Sequence, residues 1–208
     1  MGYPRAKVQV YFSLLIAIVL HLASFGPGFT PAQAGASPAQ AGDAPARRNF
    51  IPLVIGPVGP ANGDFEKGRA AWTETSTHGW KLILKASELK MAPHGGSWAA
   101  WLGGDLNETA TIGQLTMVSQ IDPYLSYWRW IASDEPATCS NLARVIVNGT
   151  VMEQFALCST TNTHGWVEQG LDLKAYAGKT VNLQFKVIVK GSKNGNLYLD
   201  DIKFQSRP

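Results

Sequence analysis

The sequence has no His-Glu-x-x-His, no Gly-x-Ser-x-Gly and no close spacing of His and Cys ligands. Zinc hydrolases, serine hydrolases and structural zinc sites depend on such patterns, so the chain is expected not to be an enzyme. Charged side chains are also scarce, at 16% of residues. The 18 basic and 15 acidic side chains become 16 against 15 once residues 1–34, which hold two cations and no carboxylate, are set aside. With no dense Lys/Arg stripe left, neither nucleic acid nor an anionic surface is an indicated partner. The apolar run from Val8 to Leu20 is too short for a comfortable membrane span. It follows Arg5 and Lys7 and precedes Ala32-Gln33-Ala34, which reads as a signal peptide over residues 1–34 cleaved before Gly35, with an uncleaved anchor as the alternative. A secreted, extracellular protein with no transmembrane anchor after cleavage is the expectation.

Cysteine is limited to Cys139 and Cys158. In an exported chain two such residues are expected to be bridged rather than catalytic. Asn148-Gly149 is a strong hairpin signal, and a two-residue turn there pairs residues whose numbers have a constant sum. The same register then pairs Cys139 with Cys158, Arg144 with Glu153, and Ile146 with Val151. A bulge in so long a hairpin would shift the outermost pair.

Helical periodicity is nearly absent, and what remains is β. Residues 35–60 open as an Ala/Gly/Pro/Gln-rich linker that cannot bury a core, and Pro52 and Pro57 exclude a central strand from Phe50 to Val58. From Asn62 onward strands dominate. Val181, Leu183, Phe185, Val187 and Val189 alternate with Asn182, Gln184, Lys186 and Lys190, broken only by Ile188, which is the signature of a strand with one face in a core. Further strands are predicted at Lys81 to Leu84, Trp98 to Leu102, Thr109 to Ile121, Leu125 to Ala132, Leu142 to Val147, Val151 to Leu157, Trp166 to Leu173 and Leu197 to Phe204. Helical turns are suggested only at Ala86 to Lys90 and Leu173 to Tyr176. The pattern predicts an all-β, two-sheet antiparallel jelly-roll sandwich over residues 61–208.

Asn62-Gly63-Asp64-Phe65-Glu66 at the start of this domain and Tyr198-Leu199-Asp200-Asp201-Ile202 at its end concentrate hard oxygen donors of the kind that hold Ca²⁺. Successive strand residues point to opposite faces, so Asp200 and Asp201 share one ion only if a bulge or strand end intervenes. Seven tryptophans invite a sugar-binding reading, because aromatic faces stack on the apolar faces of pyranose rings. Sandwich cores use Trp too. In one strand Trp128 and Trp130 share a side, with Tyr127 and Arg129 on the other, and whichever side faces solvent is a candidate platform. His78, His94 and His164 all lie beside Gly in turn-like sequence. Thr-His-Gly-Trp occurs at 77–80 and at 163–166, which reads as two independent turns, each leading a Trp into a strand. Asn107-Glu108-Thr109 and Asn148-Gly149-Thr150 match the glycosylation acceptor pattern, the second being explained by its hairpin.

Five motifs in order carry a family resemblance: Asn-Gly-x-Phe-Glu at 62–66, Gly96-Ser97-Trp98-Ala99-Ala100-Trp101-Leu102-Gly103-Gly104, Leu125-Ser126-Tyr127-Trp128, Ala175-Tyr176-Ala177-Gly178-Lys179-Thr180-Val181, and Tyr198-Leu199-Asp200-Asp201-Ile202. Together they resemble bacterial secreted galactose-binding-like sandwich domains, related to MAM-type domains and carbohydrate-binding modules and similar to domains accompanying immune-inhibitor-A-like metalloproteases. The resemblance covers about residues 61–204. It implies a structural Ca²⁺ near the first turn and the last strand, with Glu66 and Asp200 or Asp201 as side-chain ligands, Asp201 favoured, and backbone carbonyls completing the shell. The chain departs from the family at Ser140-Asn141-Leu142, where relatives carry an Asp, and at Gly95-Gly96, where Ser-Gly is usual. Protease chemistry does not carry over. The expected function is a noncatalytic, calcium-stabilised module that binds carbohydrate or a cell-surface polymer, the alternatives being a protein-binding adhesion module and an accessory domain of a secreted protease system.

Overall fold

The computed structural model describes residues 58–138 and 140–207. The expected signal peptide, nearly all of the linker, and Cys139 lie outside them. Ten strands form: β1 Thr73–Ser76, β2 Ile83–Lys85, β3 Trp98–Gly103, β4 Thr109–Met117, β5 Tyr124–Ser133, β6 Leu142–Val147, β7 Thr150–Ala156, β8 Val167–Asp172, β9 Thr180–Ile188 and β10 Gly195–Gln205. They make two five-stranded sheets, ordered β1-β4-β9-β6-β7 and β2-β3-β10-β5-β8, with every strand pair antiparallel. The fold is the all-β sandwich that the alternation predicted. Single 3-10 turns at Ala86–Glu88 and Lys174–Tyr176 fall where helical turns were expected, and a third occurs at Ser159–Thr161. Among the described residues no helix is long and apolar enough to cross a membrane.

The period-2 pattern is realised directly in β9, where Val181, Leu183, Phe185 and Val187 are all buried between the sheets. Across from them the other sheet contributes Leu125, Tyr127, Ile131, Leu197 and Leu199 to the same core. Burial of such side chains contributes about 1.5–3 kcal/mol each, which is what fixes the register of each strand. A smaller apolar cluster lies on the outer face of the second sheet. Leu84, Trp101 and Tyr198 are buried there beneath Leu89 and Met91 of the β2–β3 connection, with Trp130 and Trp166 packed alongside.

Three elements differ from the expectation. Strand β1 escaped the pattern because Thr-Glu-Thr-Ser carries no large apolar residue, and it is held as an edge strand by pairing Thr73 to Gly113 through Ser76 to Ala110. The β6–β7 hairpin does turn at Asn148-Gly149 and pairs Ile146 with Val151, but an extra residue in β7, Met152, opposite the step from Val145 to Ile146, forms a bulge that shifts everything beyond it. Arg144 therefore faces Gln154, to whose Oε1 its Nε donates at 2.8 Å, and not Glu153. The shift releases Glu153 for another partner. The strand expected to run from Thr109 to Ile121 ends at Met117, leaving Ile121 84% exposed.

Candidate functional site

The two acidic signatures, about 140 residues apart in sequence, meet in space because the first turn docks on β10. Asn62 organises that turn: its Nδ2 donates to the Gly68 and Ala70 carbonyls at 2.8 and 2.9 Å, and its Oδ1 accepts from the Lys67 N–H at 2.9 Å. The Asn62 side chain thus serves the turn itself. Gly63 then touches β10 so closely that a Cβ would stand 1.8 Å from the Ile202 carbonyl oxygen, while the Ile202 N–H donates to the Gly63 carbonyl at 2.9 Å. No larger residue fits there. Glu66 reaches the other way, its Oε1 accepting from the Ser97 and Trp98 N–H groups at 2.8 and 2.9 Å.

The register of β10 against β5 breaks between Asp200 and Lys203, and Asp201 sits at φ 46°. This irregularity is the condition under which adjacent carboxylates turn to one place, and both address the 94–95 loop. Asp200, fully buried, accepts from the His94 and Gly95 N–H groups at 2.9 and 3.1 Å and from the Asp201 N–H at 2.8 Å. Asp201 Oδ2 lies 2.6 Å from His94 Nδ1. Burial pushes the Asp200 carboxyl up to about 7, with the neighbouring Asp201 charge adding to the rise and the backbone donors opposing it. A buried carboxylate held by neutral N–H groups is stabilised further by a cation. Among the described residues no group of three or more His, Cys, Asp and Glu side chains is arranged to hold a metal ion by itself. A calcium shell built on Glu66, Asp200 and Asp201 would therefore draw on backbone carbonyls, hard oxygens that Ca²⁺ accepts.

Strand β5 separates its four candidate residues as the alternation requires, and the structure decides which pair faces outward. Tyr127 and Arg129 point between the sheets. The Tyr127 hydroxyl donates to Glu153 Oε2 at 2.7 Å, and Arg129 Nη1 lies 3.3 Å from Glu153 Oε1 with its guanidinium 4.1 Å from the centre of the Phe155 ring. The pair has become an inter-sheet tie, made possible by the bulge that frees Glu153. Trp128 and Trp130 face outward. Trp130 meets Trp166 edge to face at 6.1 Å and belongs to the outer apolar cluster. Trp128 is half-buried, and His94 stacks on it with ring centres 3.7 Å apart and planes 15° from parallel.

Trp128 and His94 line a cleft of about 690 Å³ together with Pro60, Asn62, Gly63, Asp64, Lys67, Asp201, Ile202 and Lys203. That volume is within the range of small-molecule sites. Its walls combine one indole with amide, carboxylate, imidazole and ammonium groups. Of the residues singled out in the sequence, Asn62, Trp128 and Asp201 line this cleft; His94, Lys67 and Lys203 line it without having been singled out as site residues. The Pro93-His94-Gly95-Gly96 turn was the available signal for His94; nothing local marked the lysines, which arrive through the docking of the first turn on β10. The Thr-His-Gly-Trp repeats do form two separate turns, with Gly79 and His164 at positive φ.

No protein-family model matches the sequence. No curated protein matches it either. Solved structures do resemble it. The K2 cleaved adhesin domain of Lys-gingipain aligns with a TM-score of 0.50 at 19% identity, over 68% of this chain and 96% of that one. TmCBM61 in complex with β-1,4-galactotriose aligns at 0.49 and 14% identity over 71% and 96%, and a family 16 carbohydrate-binding module at 0.43 and 18% over 70% and 97%. At these identities what is shared is the fold: the chain is a two-sheet β-sandwich like that of the adhesin domain.

Proposed function

We propose that this chain is a secreted, noncatalytic binding module whose ligand is carbohydrate, stabilised by a structural Ca²⁺ and by a Cys139–Cys158 bridge. The observation that carries the sugar reading is the cleft beside Trp128. A pyranose offers an apolar C–H face and a rim of hydroxyls, and the cleft offers the Trp128–His94 aromatic stack together with Asp201, Lys67 and Lys203. The fold shared with an adhesin domain supports a binding role, and Arg5 and Lys7 before the apolar run, with Ala32-Gln33-Ala34 after it, support export. The test is a glycan and polysaccharide screen with the exported chain, followed by titration of the strongest binder. Trp128→Ala is expected to weaken binding at least tenfold while the domain stays folded; a stacked base or ring is worth about 1–3 kcal/mol in comparable aromatic sites. Full retention of binding in Trp128→Ala would move the site away from this cleft, and a screen in which no glycan or polysaccharide binds would remove the carbohydrate assignment and favour the adhesion alternative.

The calcium part of the proposal rests on the buried Asp200 carboxylate beside Asp201, with Glu66 on the adjoining Ser97–Trp98 backbone. A bound cation would supply the positive charge that Asp200 lacks in its ring of backbone donors. At a hundred times its dissociation constant, Ca²⁺ adds about 2.7 kcal/mol to the folded state. For a domain of this size that is about 5–10 °C in melting temperature. The response should grow between pH 5 and pH 8. With its carboxyl raised to about 7, folded Asp200 holds its proton more tightly than the unfolded chain does, so metal-free stability falls as pH rises through that window. Ca²⁺ offsets the penalty where the carboxylate is ionised. Glu66→Ala and Asp201→Ala are expected to abolish the response, and an unchanged melting curve with Ca²⁺ or EDTA in a metal-free sample would dismiss the site.

A further inference from the structure

The Trp128 cleft does not end at Lys203. A second cavity of about 230 Å³ is lined by Val58, Gly59, Pro60, Ser119, Asp122, Lys203 and Phe204, so it shares Pro60 and Lys203 with the first. Both are open to solvent along β10. Asp201 lines the first cavity, Phe204 the second, and Lys203 both; these three positions span roughly 10 Å at the rise of a strand. The combined groove is longer than one sugar ring. Its chemistry is also repeated: the first cavity offers Trp128 with Asp64, Asp201, His94 and Lys67, and the second offers Phe204 with Ser119 and Asp122. The exposed Lys203 ammonium stands where the two join. The Ser119 hydroxyl oxygen already accepts the Asp122 N–H at 2.9 Å, which fixes the Asp122 backbone at the groove wall and leaves its carboxylate as the hydroxyl acceptor of the second cavity.

We infer that the ligand is an oligosaccharide segment of two or more linked sugars laid along β10, not a single terminal sugar. This rests on the carbohydrate reading of the Trp128 cleft and deepens it. A chain segment gains from the second cavity only after its first ring fills the first, so affinity should climb with length and then level off. Asp122 decides how much is gained, whereas Trp128 governs binding at every length.

The experiment is calorimetric titration of the exported chain with β-1,4-linked gluco-, galacto-, manno- and xylo-oligosaccharides of one to six units. In the series that binds, affinity is expected to rise at least tenfold from the monosaccharide to the trisaccharide or longer. Asp122→Ala should bring the long-to-short affinity ratio toward one while leaving monosaccharide binding in place. An unaltered melting curve verifies its folding. A ratio near one in the unaltered protein, or one that survives Asp122→Ala, overturns the extended groove while leaving the Trp128 site standing. Absence of binding by every series and by the polysaccharide screen overturns the carbohydrate reading and this inference together.

Discussion

Tyr127→Ala is expected to destabilise the folded chain by about 3–5 kcal/mol, the range for truncating a large buried aromatic. Tyr127 is fully buried, meets Phe185 edge to face at 5.1 Å, and bonds through its hydroxyl to Glu153 on the opposite sheet. Burial, first, and the Glu153 charge push its phenol far above the ordinary range, so it stays a neutral donor throughout the working pH range. The alanine variant opens a cavity and also leaves Glu153 with Arg129 alone. Tyr127→Phe separates the two losses: it keeps the ring and is expected to cost about 1–2 kcal/mol, the penalty for an unmet acceptor that is partly exposed. Trp128→Ala, one residue along the same strand, should cost only about 1 kcal/mol, mostly its stacking with His94. Urea unfolding of the three variants measures the ordering. Equal losses for Tyr127→Ala and Trp128→Ala would mean that β5 is not seated with Tyr127 inward.

That contrast also marks what could be read in advance. Alternation in β5 and β9 depends only on which residues prefer to leave water, so it was legible, and with it the two-sheet architecture and the pairing of Trp128 with Trp130. Which of the two sides faced outward was not legible. Tyr127-x-Arg129 could have been the wet face, and it became the dry one because a bulge in β7 turned Glu153 inward to satisfy both polar ends. Bulges leave no alternation signal of their own. The same holds in β10, where the irregularity after Asp200 gathers two carboxylates at the 94–95 loop. The motifs named the ingredients of the site; the partners Lys67, His94 and Lys203 were supplied by long-range docking that no local pattern encodes.

Closing the proposed Cys139–Cys158 bridge is expected to contribute roughly 3 kcal/mol, because it ties a loop of about twenty residues in the unfolded chain. Cys158 is buried just beyond β7, its Sγ 4.0 Å from the Ala137 carbonyl, and no cysteine among the described residues is free. Beyond the bulge β6 and β7 pair one residue out of step with the register set by Asn148-Gly149. The proposed bridge does not need that register. Cys158 lies past Ala156, where β7 ends, so strict cross-strand pairing does not bind it. The local structure also favours a fixed Cys158: its N–H donates to Thr161 Oγ1 at 2.9 Å, and its carbonyl accepts the Thr161 N–H at 3.0 Å in a 3-10 turn. Reduction should lower the melting temperature by about 6–12 °C for a domain of this size. Cys139→Ser with Cys158→Ser should reproduce that loss and become insensitive to reductant. Peptide mapping without reduction should recover residues 139 and 158 in one cross-linked fragment, and recovery of two alkylatable thiols from the native exported protein would refute the bridge.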